Sequence, residues 1–104
     1  MAVGVIGLNG WHFPVFALGT THHISNPSTS TQTSAFGSST RIIRVSTTGG
    51  ALNIAIGSDP TATSTSAIVP ENDVEYFKVN AGEKLAALDG HGHGQGKITI
   101  TEML

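Results

Sequence analysis

The sequence predicts an all-β protein, a small antiparallel β-sandwich or jelly-roll-like barrel with an extended apolar N-terminal arm. Its 104 residues are enough for one domain. Ser, Thr and Gly together make up about a third of the chain, and these residues favour turns and strand surfaces over helices. After residue 40, short stretches of alternating apolar and polar residues are separated by turn signals roughly every 8–12 residues, which is the spacing of a small sandwich or barrel.

Composition excludes several classes of function. The chain has only 5 Lys and Arg residues and a formal net charge of -2, so it lacks the dense basic surface that nucleic-acid binding requires. It contains no cysteine, which excludes disulfides, thiolate metal sites and cysteine nucleophiles. No serine lies in a G-x-S-x-G turn, and no glycine loop of the phosphate-binding type is present. We therefore expect a protein that is not an enzyme and needs no cofactor.

The first 18 residues are rich in apolar side chains. They contain no Lys or Arg, unlike the start of a secretory signal, and Gly and Pro interrupt the run of about 20 apolar residues that a membrane span requires. Two structures remain open for this segment. It forms the first strands of the core, or it is an arm that packs on a neighbouring subunit, because large apolar patches are rarely left exposed. We expect interface contacts from Trp11, Phe13 and Phe16 in this segment and from Ile24 just beyond it.

Residues 19–40 are rich in Ser and Thr and contain no Asp, Glu, Lys or Arg; the first charged residue of the chain is Arg41. This composition is typical of a linker. A strand with hydroxyl groups on both faces is the alternative, because in the stretch 31–36 one face would carry Thr31 and Thr33 and the other Ser34. The β-sandwich domain itself is expected over residues 41–104.

Period-two patterns predict the first strands of this domain. The stretches 41–47 and 51–57 both alternate apolar and polar residues. Gly49–Gly50 provides a turn between them, because glycine adopts a positive φ at no steric cost. Asp59–Pro60 marks another turn, and the short apolar run Ala67–Val69 ends before a proline.

Three further strands are predicted towards the C-terminus. The stretch 74–79 alternates and is followed by a turn at Asn80–Gly82. Residues 83–88 are good helix formers, but six residues make a marginal helix, so we expect a strand. The stretch 97–104 is the cleanest strand pattern. The predicted core consists of the apolar residues on the inward faces of these strands: Ile43, Val45, Leu52, Ile54, Ile56, Phe77, Val79, Leu85, Ile98 and Ile100.

Histidine carries the only plausible chemistry. His91 and His93 lie in a glycine-rich stretch, and an H-x-H pair on a strand points both imidazoles to one face, a spacing found in zinc and nickel sites. Metal-binding cupins follow this pair with a Glu and a later His, whereas here the next residues are Gly-Gln-Gly-Lys (94–97) and no histidine comes after His93. We therefore expect a loop with solvated imidazoles and no metal, with a metal shared between subunits as the exception.

Three acidic residues, Glu71, Asp73 and Glu75, stand close together before and within a predicted strand. The surrounding sequence lacks the further oxygen ligands and the glycine of a calcium-binding loop. We expect a solvated turn there.

Four short motifs resemble those of small β-rich structural proteins of tailed-phage virions. A strand that ends in Ile-Gly is followed by Pro and Ala (56–62), and an apolar residue precedes proline (Val69–Pro70). Glu-Tyr-Phe lies in a strand (75–77), and Gly-Glu-Lys precedes Leu-Ala (82–86). The resemblance covers more than half of the chain, and the first 40 residues take no part in it.

This resemblance implies a capsid decoration protein, also called a cement protein. Such proteins bind the outer shell of a phage head as small oligomers, bridge neighbouring capsid subunits and bring no catalytic residues. We therefore expect a structural virion protein on the capsid surface, assembled in the host cytoplasm. Its expected partners are the major capsid protein and further copies of itself, as a dimer or trimer, with neither nucleic acid nor a membrane.

Three alternatives stay open. A tail or neck component of the same build fits the sequence as well as a head protein. A carbohydrate- or ligand-binding sandwich is disfavoured, because such modules display a row of exposed aromatic rings, whereas Phe36, Tyr76 and Phe77 are the only aromatic residues beyond the N-terminal segment. A cupin-like metalloenzyme would have to use His91 and His93.

Overall fold

A computed structural model describes the backbone of residues 4–6, 12–14, 16–92 and 95–104, and the side chains of residues 16–92 and 95–104. Within these ranges every regular element is a strand. The same part of the chain contains no helix long and apolar enough to cross a membrane. The strands are β1 (Gly4–Ile6), β2 (His12–Pro14), β3 (Leu18–Ser25), β4 (Thr31–Gln32), β5 (Ile42–Thr48), β6 (Leu52–Gly57), β7 (Ala67–Val69), β8 (Val74–Lys78), β9 (Lys84–Leu88) and β10 (Lys97–Met103).

Two four-stranded antiparallel sheets make up the domain. Sheet I has the strand order β3-β10-β5-β8, and sheet II has the order β4-β9-β6-β7. They enclose one apolar core, so the fold is the predicted all-β sandwich. β1 and β2 pair with each other as a separate two-stranded sheet.

The strands that the sequence predicts after residue 40 are all present. The ambiguous stretch 83–88 contains a strand, β9, and the apolar run before Pro70 is β7. The turn after β8 is also where the sequence places it. Gly82 has a φ of +79°, and the N–H of Glu83 donates to Asn80 O at 3.1 Å.

The turn predicted at Gly49–Gly50 connects the two sheets, since β5 belongs to sheet I and β6 to sheet II. Gly49 adopts a φ of +79°. A Cβ at this position would also overlap the carbonyl group of Gln95. Glycine is therefore required here both for its backbone conformation and for its lack of a side chain.

The core contains every residue that the alternation predicts, with Ile56 and Phe77 as partly buried members at its margin. It also contains residues that the sequence analysis did not assign to it. These additional core residues are Ile24, Phe36, Val69 and Ala87.

The segment 19–40 is partly strand and partly irregular. β3 and β4 lie within or overlap it, and Phe36 in the irregular part is only 2% exposed. The N–H of Phe36 donates to Glu83 O at 2.8 Å. Ile24 on β3 is 5% exposed and packs in the core. The expectation that Ile24 contacts another subunit is therefore wrong, because its side chain is already enclosed by its own chain.

A loop, residues 58–66, covers the middle of the outward face of sheet II. Asn53 and Ala86 alternate with core residues on β6 and β9 and so point away from the core, yet both are fully buried. Asn53 Nδ2 donates to Ser66 O at 2.8 Å. The outward face of this sheet is therefore largely occupied by the protein's own chain.

Replacing Gly90 with alanine should destabilise this packing. A Cβ at Gly90 would lie 2.6 Å from Asn53 Oδ1 and 3.1 Å from Ser64 Cα, so the loop or Asn53 must move. We expect the free energy of unfolding, measured by urea denaturation, to fall by about 1–3 kcal/mol. Gly57→Ala is the matched control, because a Cβ there meets nothing within 4 Å. Equal stability of the two variants would contradict the close packing at Gly90.

Candidate functional site

Small hydroxyl residues make up half of the two central rows on the outward face of sheet I, and Thr101 among them is buried. Directly opposite residues of antiparallel strands share a face, so the strand register defines rows that run across the sheet. The two central rows are His23, Thr99, Ser46 and Val74, and Thr21, Thr101, Arg44 and Tyr76.

Exposed apolar side chains stand at the margins of this face. Tyr76 is 60% exposed and Val74 is 42% exposed on β8, and Tyr76 lies directly opposite Arg44. Leu18 at the start of β3 is 72% exposed. A face that combines hydroxyl groups, an exposed aromatic ring, a guanidinium group and few charges suits contact with another protein, where Tyr and Arg are the residues that contribute most.

The aromatic residues predicted for an intersubunit contact lie at the N-terminal end. Phe16 is half-buried. Trp11 lies outside the described residues, and so does the side chain of Phe13, whose backbone belongs to β2. Their interface role stays a prediction. Tyr76 and Val74 were not predicted as contact residues, because alternation shows that they point outward but not which outward face a loop covers.

A buried carboxylate joins β3, β10 and the loop 33–41. Glu102 is 5% exposed, and its Oε2 accepts a hydrogen bond from His22 Nε2 at 2.8 Å. Its Oε1 accepts the Gly37 N–H at 2.9 Å and the Thr40 hydroxyl. Burial alone opposes ionisation of this carboxyl, but the hydrogen bonds from Thr40, Gly37 and His22 outweigh it and hold the pKa of Glu102 below its ordinary value.

A hydroxyl, an imidazole and a carboxylate lie side by side in the order of a nucleophilic triad: Ser34, His22 and Glu102. However, Ser34 Oγ lies 3.4 Å from His22 Nδ1, beyond the roughly 2.6–3.2 Å typical of a serine and its base. The His22 ring also meets the edge of the Phe36 ring, with centroids 5.5 Å apart. The imidazole is thus contacted by Ser34, Phe36 and Glu102, and both carboxylate oxygens of Glu102 accept hydrogen bonds. Together these contacts hold β3 and the loop 33–41 against β10.

The H-x-H pair follows β9. His91 lies in an exposed turn, and its backbone N–H donates to Asp89 Oδ1 at 3.3 Å. His93 lies outside the described residues. Within the described side chains, no group of three or more His, Asp or Glu residues is placed to hold a metal ion. A metal role for His91 and His93 therefore gains no support from the residues around His91.

The acidic residues near β8 lie at the surface, with Glu71 exposed and the other two half-buried. The pKa of Glu75 is raised above its ordinary value. Desolvation is the largest cause, and a hydrogen bond with Asp73 and the negative charge of Asp73 add to it.

A polar pocket of about 380 Å³ opens at the end of sheet I where β3 and β5 finish and β10 begins. Its lining is entirely polar or glycine: Asn26, Thr48, Gly49, Gln95 and Lys97. It contains a single lysine and no carboxylate, which gives it little chemistry beyond hydrogen bonding.

Comparison with known proteins identifies no relative. No protein-family model matches the chain, and no curated protein sequence matches it.

Replacing Glu102 with glutamine should destabilise the domain in a pH-dependent way. A carboxyl whose pKa is lower in the folded protein stabilises the fold above the unfolded value of 4.5, and this contribution disappears as the pH falls through the folded value. At pH 7 we expect Glu102→Gln to lose about 1–3 kcal/mol of unfolding free energy, because charge-assisted hydrogen bonds are removed from a buried site.

The measurement is urea denaturation of the wild type and the variant at pH 7, pH 5 and pH 3. The stability difference between them should persist at pH 5 and shrink at pH 3. Glu71→Gln, at an exposed position, is the control and should behave like the wild type. A difference that stays constant down to pH 3 would contradict a stabilising charge on Glu102.

Proposed function

We propose that this chain is a structural protein of a phage virion that decorates the head shell. In this proposal it binds the shell as a small homo-oligomer, through the outward face of sheet I, and performs no catalysis. The proposal is supported by the motif resemblance and by the difference between the two outward faces of the sandwich.

The motifs behind the resemblance fall on connected parts of the fold. Residues 56–62 end β6 and begin the loop that covers sheet II, and Val69–Pro70 ends β7. Residues 82–86 form the turn into β9, and residues 75–77 lie in β8, at the edge of sheet I. The motif residues therefore build sheet II, its cover and one margin of the exposed face.

The observation that carries the proposal is the exposed apolar side chains on that face. Tyr76 is 60% exposed and Val74 is 42% exposed on sheet I, whereas on sheet II Ile68 at the edge is exposed but the outward residues Asn53 and Ala86 are fully buried. Exposed aromatic and aliphatic side chains next to an arginine are typical anchors of protein interfaces. A large protein shell is a partner whose repeated surface can cover such a face on many copies at once.

The low charge of the face favours the same partner. Arg44 is the one charged residue in the two central rows, and hydroxyl groups exchange hydrogen bonds with water for hydrogen bonds with a partner. Binding therefore avoids much of the desolvation cost that accompanies buried charges. In this proposal the apolar N-terminal segment adds contacts to the shell or to a neighbouring subunit.

Co-sedimentation tests the proposal. The chain is mixed with shells assembled from the major capsid protein that is encoded in the same genome, and we expect it to pellet with them at a saturable stoichiometry. Tyr76→Ser should raise the dissociation constant about 10-fold or more, because an aromatic anchor is lost. Ile68→Ser is the matched control, since Ile68 is 50% exposed but lies on sheet II, and it should bind like the wild type.

Four outcomes would contradict the proposal. Absence of the chain from the pellet would exclude shell binding, and binding to assembled tail tubes instead would assign the protein to the tail or neck. Equal losses from Tyr76→Ser and Ile68→Ser would exclude sheet I as the binding face. Saturable binding to a glycan array that Tyr76→Ser abolishes would favour the carbohydrate-binding alternative.

A further inference from the structure

Among the strands that the structure describes, the sandwich has four edge strands, and three of them are protected against pairing with another chain. β4 has two residues, β7 has three and ends before Pro70, and β8 carries Glu75 and Lys78. Short strands, prolines and charges are the devices by which proteins block an open edge. β3 has eight residues and contains neither a charged residue nor a proline.

The backbone groups on the free edge of β3 follow from the hydrogen bonds to β10. The N–H of Asn26 donates to Gly96 O at 2.7 Å, which makes these residues a hydrogen-bonded pair. Such pairs alternate with non-hydrogen-bonded pairs along antiparallel strands, so Ile24 and His22 are also hydrogen-bonded to β10. The N–H and C=O groups that point away from β10 therefore belong to the residues between them: Thr21, His23 and Ser25.

This edge is accessible and regular. The side chains of Thr21, His23 and Ser25 are exposed, whereas Ile24 is enclosed in the core and His22 is held by Glu102. The register with β10 is irregular only near Leu18. The outward groups thus form a straight, firmly held row of donors and acceptors.

We propose that a second copy of this chain pairs with this edge, antiparallel, about a two-fold axis at His23. Thr21 of one copy then lies opposite Ser25 of the other, and each outward residue exchanges two hydrogen bonds with the residue facing it. The two copies of sheet I become one continuous eight-stranded sheet. This inference deepens the homo-oligomer part of the proposed function by assigning it a symmetry and an interface.

The composition of the edge favours a second copy as the occupant. A two-fold axis places two identical edges against each other, so an edge with a net charge would repel itself. The residues Thr21, His23 and Ser25 carry no fixed charge, and the small hydroxyl residues face each other across the axis. The pairing also aligns the outward faces of both copies on the same side of the joined sheet, so that both can contact one surface.

The test compares lysine at two neighbouring positions of sheet I. His23→Lys places two positive charges directly opposite each other across the axis, while Thr99→Lys places the same charge on the same face one strand further from the edge. Sedimentation equilibrium of the isolated full chain should show a wild-type dimer. We expect His23→Lys to raise its dissociation constant about 100-fold and Thr99→Lys to change it less than about 3-fold.

Amide hydrogen exchange provides a second measurement on the same proteins. In the wild type, the amides of Thr21 and Ser25 should exchange slowly because they are bonded across the axis, and in His23→Lys they should exchange rapidly. The amide of Ile24, which bonds within the chain, should stay slow in both and shows that the variant is folded.

A monomeric or trimeric wild type, or a folded His23→Lys variant that remains a dimer, would overturn this inference. Slow exchange at Ile24 combined with fast exchange at Thr21 and Ser25 in a wild-type dimer would place the interface elsewhere. These measurements contain no capsid protein. They therefore fail or succeed independently of co-sedimentation with shells.

Discussion

The burial of one carboxylate determines how sheet I is held together. Glu102 lies on β10, and its donors come from β3 and from the loop 33–41, far away in the sequence. A buried charge must be fully paired, so these three segments can pack only in one arrangement. This explains how β3, a strand dominated by Gly, Thr and His, is fixed at the edge of the sheet although Ile24 is its only member of the core.

The outward faces of the two sheets have different surroundings. Sheet II uses a loop of its own chain to cover polar and small outward residues, and Asn53 holds that loop by its side-chain amide. Sheet I presents Tyr76 and Val74 to the surroundings, with Arg44 directly opposite Tyr76. Face contacts through side chains and edge contacts through the backbone use different atoms. In the proposed assembly both contacts form at once, and a dimer joined at the edge would bring two faces to one shell, which raises its avidity over that of a single face.

The strands after residue 40 could be predicted because apolar and polar residues alternate along them, and this local pattern indicates which side chains are buried. Ile43, Leu52 and Ile98 stand in alternating patterns that indicate both the strand and its inward face. Ile24 and Phe36 could not be assigned to the core, because they are isolated apolar residues among Ser, Thr and Gly. Their burial depends on pairing with strands that lie far away in the sequence.

The same limit applies to the functional surfaces. His22, Thr40 and Glu102 are unremarkable in sequence, and no spacing rule brings them together across the fold. Likewise, the alternation in β8 shows that Tyr76 points outward, but only the path of the loop 58–66 shows that the other sheet is covered. Packing between distant segments, rather than local pattern, decides which outward residues remain available.

The position of β10 also has a consequence for synthesis of the protein. This strand is the last element of the domain, yet it lies between β3 and β5 in sheet I. During synthesis β3 therefore has no partner on that side until all the other strands of this domain have been made. Long-range strand pairing of this kind slows folding and leaves nascent chains prone to associate, so crowded translation would be the stage at which this small domain most needs a chaperone.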